Sequence, residues 1–547
     1  MTRKTTHRTR YTLVFGALVS SLSTMALFGY SAPAADLPAF SAEDVFEMEY
    51  ANDPQVSPDG SRVAYVRSSM DIMTDRTRRT IWVVDIDGSG HRPLVSGAGN
   101  FSSPRWSPSG DRLAYLSNTE GKTQLFVQWL EGGETAKVTT LPQSPRSIVW
   151  SPDGKHIAFT RFVPSPPPTL ADMPAKPKGA KWAEPATVVD RMTFRFDGGG
   201  YLPTGNQQVF VVPADGGTPR QMTSGDYPIS GTVSWMPDSQ SIVFSSNRRE
   251  NVEYHPRQND LYVASITTGE LTQMTDHAGP EGNPAVSPNG RYLAYTSAAD
   301  TRQGYNRADL RVMDLTSGES RSLTADLDRS VSDIQWSADS KSVWIRYNDL
   351  GMARIAEVDL KGNLTRADVV LGGTALGRPY TSGTFSVGGK DRIAYTLGRD
   401  DRPADLALMR SGKQPLQLTD LNSDLMGQRE MSRVERMVWP SSHDSMEIEG
   451  WVMKPPGFDP EKQYPVILEI HGGPHSAYGP NYSTEAQLFA AAGYVVFYTN
   501  PRGSTSYGEK FANEIDLAYP GYDYDDLISG VDALIDKGYV DSDQVFV

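Results

Sequence analysis

One phrase recurs along this chain and constrains its fold more than any other feature. "VSPDGSRVAYV" starts at Val56, "WSPSGDRLAYL" at Trp106, "WSPDGKHIAFT" at Trp150 and "WMPDSQSIVFS" at Trp235. "VSPNGRYLAYT" follows at Val286, "WSADSKSVWIR" at Trp336 and "FSVGGKDRIAYT" at Phe385. The starts lie 44–51 residues apart, except for one step of 85. Ser-Pro-Asp-Gly reads as a tight turn, in which Pro presets φ, Asp bonds the local backbone and Gly accepts positive φ. The apolar run after it reads as a strand, and the leading Trp or Val is suited to packing between sheets. Each phrase is followed by a second hairpin, such as "QLFVQWLEGGETAKVT" (124–139) or "DLYVASITTGELTQMT" (260–275). Four strands in about 50 residues make one propeller blade. Seven units predict a seven-bladed β-propeller over residues 36–425, with the near-constant period favouring a closed ring over separate β-domains or an open solenoid.

The long step contains an insertion, residues 161–205. Its first part is rich in Pro and Lys and reads as a loop or extended arm, while "TVVDRMTFRFDGGGYL" has the composition to return to strand. A lid over a binding face and a plain surface loop are both open readings.

After residue 430 the pattern changes. "MEIEGWVMKP" and "YPVILEIHG" read as strands joined by a Pro/Gly loop, "STEAQLFAAAG" (483–493) as a helix with a Gly stop, and "YVVFYTN" (494–500) as a strand buried on both faces. "DYDDLISGVDALIDKG" (523–538) spaces Leu527, Ile528, Val531, Leu534 and Ile535 as one helical face, and "DQVFV" (543–547) reads as a further buried strand. Strands alternating with helices predict a largely parallel α/β sheet over 430–547.

Composition narrows the function classes. The net charge of −14 and the lack of a basic stripe exclude a general nucleic-acid binder. With no cysteine, disulfides, thiolate metal sites and a Cys nucleophile are excluded. The first 35 residues combine a basic start, an apolar stretch diluted by Ser and Thr, and small residues near Ala34 and Ala35. They read as a cleaved signal peptide rather than a stable membrane anchor, and imply an exported, periplasmic or secreted protein.

"ILEIHGGPHS", "NPRGSTSYG" and "GYDYDDLISGVDALIDKGYVDSDQVFV", in that order behind seven propeller units, resemble the start of the hydrolase domain of the prolyl oligopeptidase family. The similarity is greatest to its acylaminoacyl peptidase and bacterial dipeptidyl peptidase branch. The resemblance implies a seven-bladed β-propeller followed by the N-terminal part of an α/β-hydrolase, and a serine exopeptidase that hydrolyses short peptides through an acyl-enzyme without a cofactor. It also implies that Gly473, the second Gly of HGGP, donates its backbone N–H to the oxyanion, and that His471 at the first position favours this backbone donor. In such hydrolases the nucleophile follows the strand resembling "DQVFV", in a G-x-S-x-G turn, with Asp and His later. The expected catalytic Ser, Asp and His therefore lie beyond Val547, and these 547 residues alone are expected to be inactive, with an incomplete hydrolase sheet. "GTFSVG" (383–388) and "GSTSYG" (503–508) lack the nucleophile spacing, and none of His443, His471 and His475 is assigned as a base. Arg502 either organises the site or forms a structural ion pair. Asp523, Asp525 and Asp526 read as a helix start rather than a metal site, for which no residues are assigned. A propeller binding protein with a degenerate hydrolase segment is the alternative.

Overall fold

The computed structural model describes residues 37–547, apart from Pro167, Asp172, Met173, Glu184, Pro185, Lys390, Asp391, Ser411 and Gly412. The expected signal peptide, residues 1–35, lies outside the described residues. The elements described belong to one compact unit, Pro38–Val547. No helix among the described residues is long and apolar enough to cross a membrane.

Seven four-stranded antiparallel sheets follow one another from Glu49–Val56, the first strand, to Leu416–Gln417, the last. They form the seven-bladed β-propeller. Seven apolar clusters fill the gaps between neighbouring blades, including the gap where blade 1 (Val56, Tyr65, Val84) meets blade 7 (Ala394, Leu406, Leu408). The recurring Trp contributes more than apolar area. The indole N–H of Trp106, Trp150, Trp235 and Trp336 donates to a backbone carbonyl one blade back, on Gln55, Arg105, Val149 and Ala285, at 2.8–3.1 Å. A buried indole N–H needs such a partner, and this one fixes the pitch between blades.

The Ser of each turn also acts through its hydroxyl. Oγ of Ser57, Ser107, Ser151, Ser287 and Ser337 accepts the N–H five residues on, at 2.9–3.1 Å. Gly60 takes φ +71° at the fourth turn position, yet Ser239 and Ser340 hold φ +60° at the same position. Their hydroxyls accept the N–H of Asp153 and Asn289 from the preceding blade's turn, at 3.1 Å each. The contact offsets the left-handed strain that Gly avoids.

The insertion extends the middle hairpin of blade 3, whose strands stay paired out to Pro164 and Gly205. The expected return to strand amounts to Arg195–Phe196 with Gly200–Tyr201. Arg191 anchors the arm to Asp226 at 3.0 Å, and Met192 N–H to Glu253 at 3.1 Å.

The hydrolase portion contains β1 (Val434–Pro440), β2 (Glu447–Met453), β3 (Tyr464–Glu469), α1 (Thr484–Ala491) and β4 (Val495–Asn500). It continues with α2 (Glu509–Asn513), α3 (Tyr522–Ile535) and β5 (Val540–Phe546). The sheet order is β1-β2-β4-β3-β5. It is mixed rather than largely parallel: β2 runs antiparallel to β1 and β4, and only the β3 pairings are parallel. Strand β4 is buried throughout, as its continuous apolar run requires. Helix α3 buries Leu527, Val531 and Leu534, whereas Ile528 is exposed. Strand β5 pairs with β3 and is the last strand on that side of the sheet among the described residues.

Loops of blades 5, 6 and 7 carry this portion; blade 5 docks on the side chains of Glu509, Asn513 and Asp516, and the other two add main-chain hydrogen bonds. Leu350 N–H donates to Ser506 O, Thr381 N–H to Ala477 O and Gly479 N–H to Pro379 O, at 2.9–3.1 Å. Tyr482 N–H donates to Arg399 O and Thr484 N–H to Leu376 O, both at 2.8 Å.

Blade 7 stores a pH-dependent cost. Asp405 opens its third strand, where blades 2 and 3 place Gln124 and Gln208. Its Oδ1 accepts from Thr419 Oγ1 at 2.8 Å and Leu421 N at 2.9 Å, just as Gln124 Oε1 does from Thr139 and Leu141. Asp405 Oδ2 is buried without a partner among the described residues. Burial, first, pushes its pKa up to about 6 from the ordinary 3.8, with the two hydrogen bonds opposing. An acid raised on folding is fully accommodated below its unfolded pKa and loses that stability as pH rises through the folded value. The gap between about 6 and 3.8 corresponds to about 3 kcal/mol. Asp405→Asn is expected to raise the thermal midpoint at pH 8 and leave it unchanged near pH 4, as differential scanning calorimetry at the two pH values will read.

Candidate active site

Two loops leave the C-terminal ends of the adjacent parallel strands β3 and β4, the place where open α/β sheets form their crevice. The first carries His471-Gly472-Gly473-Pro474, the second Pro501-Arg502-Gly503-Ser504. They are stitched together. Thr505 N–H donates to Ser476 O at 2.8 Å, and the His475 ring N–H at Nδ1 donates to Gly503 O at 3.1 Å. Asn500, at the end of β4, closes a two-bond ring with the main chain of Tyr478 at 2.8 and 2.9 Å.

His471 is buried and lies 2.9 Å from Ser504 Oγ through Nε2. The single Ser504 proton goes to Pro501 O at 2.6 Å, so the hydroxyl accepts from His471 Nε2–H. Burial, the largest cause, lowers the pKa of the imidazole, and hydrogen bonds with Gly472 and Asn500 oppose it. His471 and Ser504 thus satisfy one another and the loop.

Gly473 projects at the exposed tip, with φ +143°. A Cβ there would lie 2.9 Å from His475 N, so the position needs glycine. The neighbouring Gly472 N–H donates to the Tyr380 hydroxyl of the propeller at 3.3 Å. Among the described residues, the Gly473 N–H donates no hydrogen bond.

Arg502 is committed to buried partners. Its backbone N–H and Nε donate to Asp526 Oδ2, and Nη2 to Asp526 Oδ1, each at 2.9 Å. Nη1 and Nη2 reach Asp444 at 3.2 and 3.1 Å, and Nη2 reaches Ser441 at 3.2 Å. The Arg502 side chain is 3% exposed and that of Asp526 0%. This fork, first among its causes, raises the guanidinium pKa above its ordinary value. Of the two readings for Arg502, the geometry is that of a structural ion pair. It ties the β4 loop to α3 and to the β1–β2 turn. Asp526 is therefore not a helix-start carboxylate but the buried half of this pair, while Asp523 Oδ1 caps Gly521 N–H at 2.5 Å. The helical pattern alone marked position 526 as polar and carried no signal of its distant partner. His443 stacks on Tyr522, with ring centres 3.3 Å apart. Among the described residues, no cluster of three or more His, Cys, Asp or Glu side chains could hold a metal.

Sequence profiles match in three places: the TolB beta propeller domain over residues 36–165, the dipeptidyl peptidase IV N-terminal region over 180–302, and the prolyl oligopeptidase family over 480–547. The uncharacterized peptidase YuxL of Bacillus subtilis is 31% identical over 513 residues, covering 91% of this chain and 76% of the relative. Dipeptidyl-peptidase 5 of Porphyromonas gingivalis is 26% identical, over 90% of this chain and 72% of its own. Among solved structures, the acylaminoacyl peptidase of Pyrococcus horikoshii superposes with a TM-score of 0.75 at 21% identity, over 93% of this chain and 74% of that one. A β-propeller ahead of a hydrolase sheet defines the class. The chain belongs to the prolyl oligopeptidase family of serine peptidases.

Removing one member of a buried pair strands the other. Asp526→Ala is expected to cost about 3–5 kcal/mol in urea denaturation, and the double variant Arg502→Leu/Asp526→Leu markedly less than the sum of its single changes.

Proposed function

We propose that this chain forms the propeller and oxyanion-loop part of an exported serine exopeptidase that removes dipeptides or blocked amino acids from short peptides. The observation that carries the reading is the Gly473 N–H: an uncommitted donor on a glycine-only backbone, at the end of β3 and beside β5. A donor held rigidly and aimed at developing negative charge is what acyl transfer needs. Tyr380, reaching Gly472 from the propeller, puts this loop against the propeller face, which would limit access to short, flexible peptides. Relatives named dipeptidyl-peptidase 5 and acylaminoacyl peptidase support the substrate class. The basic, then apolar, then small-residue start supports export.

These 547 residues contain no G-x-S-x-G. They supply the oxyanion donor and not the nucleophile. A fluorophosphonate probe is expected to label no serine of the purified 547-residue chain, and to label the motif serine in a form that carries G-x-S-x-G. In that form Gly473→Ala should lower kcat on the order of 10²-fold with little change in KM, because it displaces the donor. Labelling of a serine within these 547 residues, or an unaltered kcat, overturns the assignment.

A further inference from the structure

Two glycines in succession make a loose loop, whereas an oxyanion donor must be held still. Gly473 is confined by its surroundings, because a Cβ there would lie 2.9 Å from His475 N. Gly472 is not: a Cβ at that position would meet nothing within 4 Å. The donor N–H of Gly473 belongs to the planar peptide that joins the two residues, so rotation about the Gly472 backbone swings that donor. Pro474 has no N–H, and Gly-Gly-Pro therefore carries two such groups. One is the uncommitted Gly473 N–H. The other, that of Gly472, donates to the Tyr380 hydroxyl at 3.3 Å. The Gly472 carbonyl lies 3.2 Å from Nδ1 of His471, its neighbour in the chain. Among the described residues, Tyr380 is thus the one hydrogen-bond partner of Gly472 from outside the loop.

Tyr380 is well seated to act as a restraint. It stands in the loop between blades 6 and 7 and pairs with Tyr478 in an isolated antiparallel bridge. Main-chain bonds flank the bridge, Thr381 N–H to Ala477 O at 3.1 Å and Gly479 N–H to Pro379 O at 2.9 Å. The rings of Tyr380 and Tyr478 pack with centres 4.8 Å apart, and His471 lies edge-on against Tyr478 at 5.2 Å. Two residues earlier, Arg378 reaches Glu469 at the end of β3 at 3.2 Å and Glu485 of α1 at 3.1 Å. Residues 378–380 are therefore tied to the strand that precedes the glycine loop and to the helix that follows it.

We propose that Tyr380 is a positioning residue for the oxyanion donor: its hydroxyl pins Gly472 and so orients the Gly473 N–H. It acts through Gly472 and not on the reacting atoms. This role rests on Gly473 being the oxyanion donor, and it makes the propeller a contributor to acyl transfer as well as a limit on access.

The test is Tyr380→Phe, which keeps the ring against Tyr478 and removes only the acceptor. His471-Gly472 is the one His-Gly step in the sequence. Histidine labelled with ¹³C at its carbonyl, combined with ¹⁵N glycine, therefore gives a single doubly labelled amide in the 547-residue chain, that of Gly472. In Tyr380→Phe this resonance is expected to move upfield and its hydrogen exchange to quicken about threefold or more, with the thermal midpoint unchanged. In the form that carries G-x-S-x-G, the same substitution should lower kcat about three- to tenfold at unchanged KM, because a wandering donor weakens the transition state and leaves substrate binding alone. An unmoved Gly472 resonance overturns the proposal without reference to turnover. A moved resonance with unaltered kcat, in a form where Gly473→Ala does lower kcat, overturns the role of Tyr380 and leaves the oxyanion reading standing. If Gly473→Ala also leaves kcat unaltered, the oxyanion reading has failed and the role of Tyr380 falls with it. A raised KM at constant kcat assigns Tyr380 to substrate binding and likewise overturns the proposal.

Discussion

Every blade of this propeller is built from one stretch of chain, with the insertion's short hairpin interrupting blade 3, so no strand is shared between the first blade and the last. The ring must be closed by contacts alone, and the rest of the structure depends on that seam. Asn422 closes a two-bond ring with the main chain of Glu49, accepting at 2.9 Å and donating at 2.8 Å. Asp53 and Val56 donate backbone N–H groups to the hydroxyls of Thr384 and Ser386, at 3.2 and 3.1 Å. Gly60 and Gly389 approach so closely that a Cβ on Gly389 would fall 2.0 Å from Gly60 Cα. An apolar cluster backs these bonds with buried area, the larger and less directional part of the closure.

The same seam positions the hydrolase portion. The segment from Pro38 to Met48 precedes blade 1 and packs Phe40 and Met48 against Leu425, Met426 and Tyr482, just beyond blade 7. Asp44 and Arg429 lock this packing with two bonds of 2.7 Å. Ring closure, the start of the chain and the entry to the hydrolase sheet are thus one structure. Tyr482, part of this packing, leads into α1 and donates its N–H to the Arg399 carbonyl of blade 7.

The sequence made legible whatever is local and repeated. The Ser-Pro-Asp-Gly turns, the hairpins after them and the seven-unit count follow from short-range chemistry and recur where expected. The alternation of strand and helix after residue 430 was equally readable, but not the antiparallel start of its sheet. Strand β1, "VERMVWP", mixes charge and apolar residues at a sheet edge and carried no clear signal. Pairing direction depends on where the chain returns, which periodicity does not encode. Ser239 and Ser340 in place of turn glycines make sense only once the neighbouring blade's N–H is seen. The candidate site divides in the same way. The glycine loop was visible because its backbone requirement is written in its residue types. Asp526 as the partner of Arg502 and Ser504 as the acceptor for His471 each join residues well apart in the chain.

Part of the contact between propeller and hydrolase is drawn with peptide groups alone, such as Leu350 to Ser506, Thr381 to Ala477 and Thr484 to Leu376. A peptide group is the one part of a residue that substitution leaves in place, proline excepted. That stretch is nearly blind to side-chain identity and is constrained by loop length and path, whereas the loop of blade 5 docks on side chains, its Gly304, Tyr305 and Arg307 N–H groups donating to Asp516, Asn513 and Glu509. Along the peptide-bonded stretch insertions rather than point changes become the events that disturb the seating, while under blade 5 single substitutions suffice.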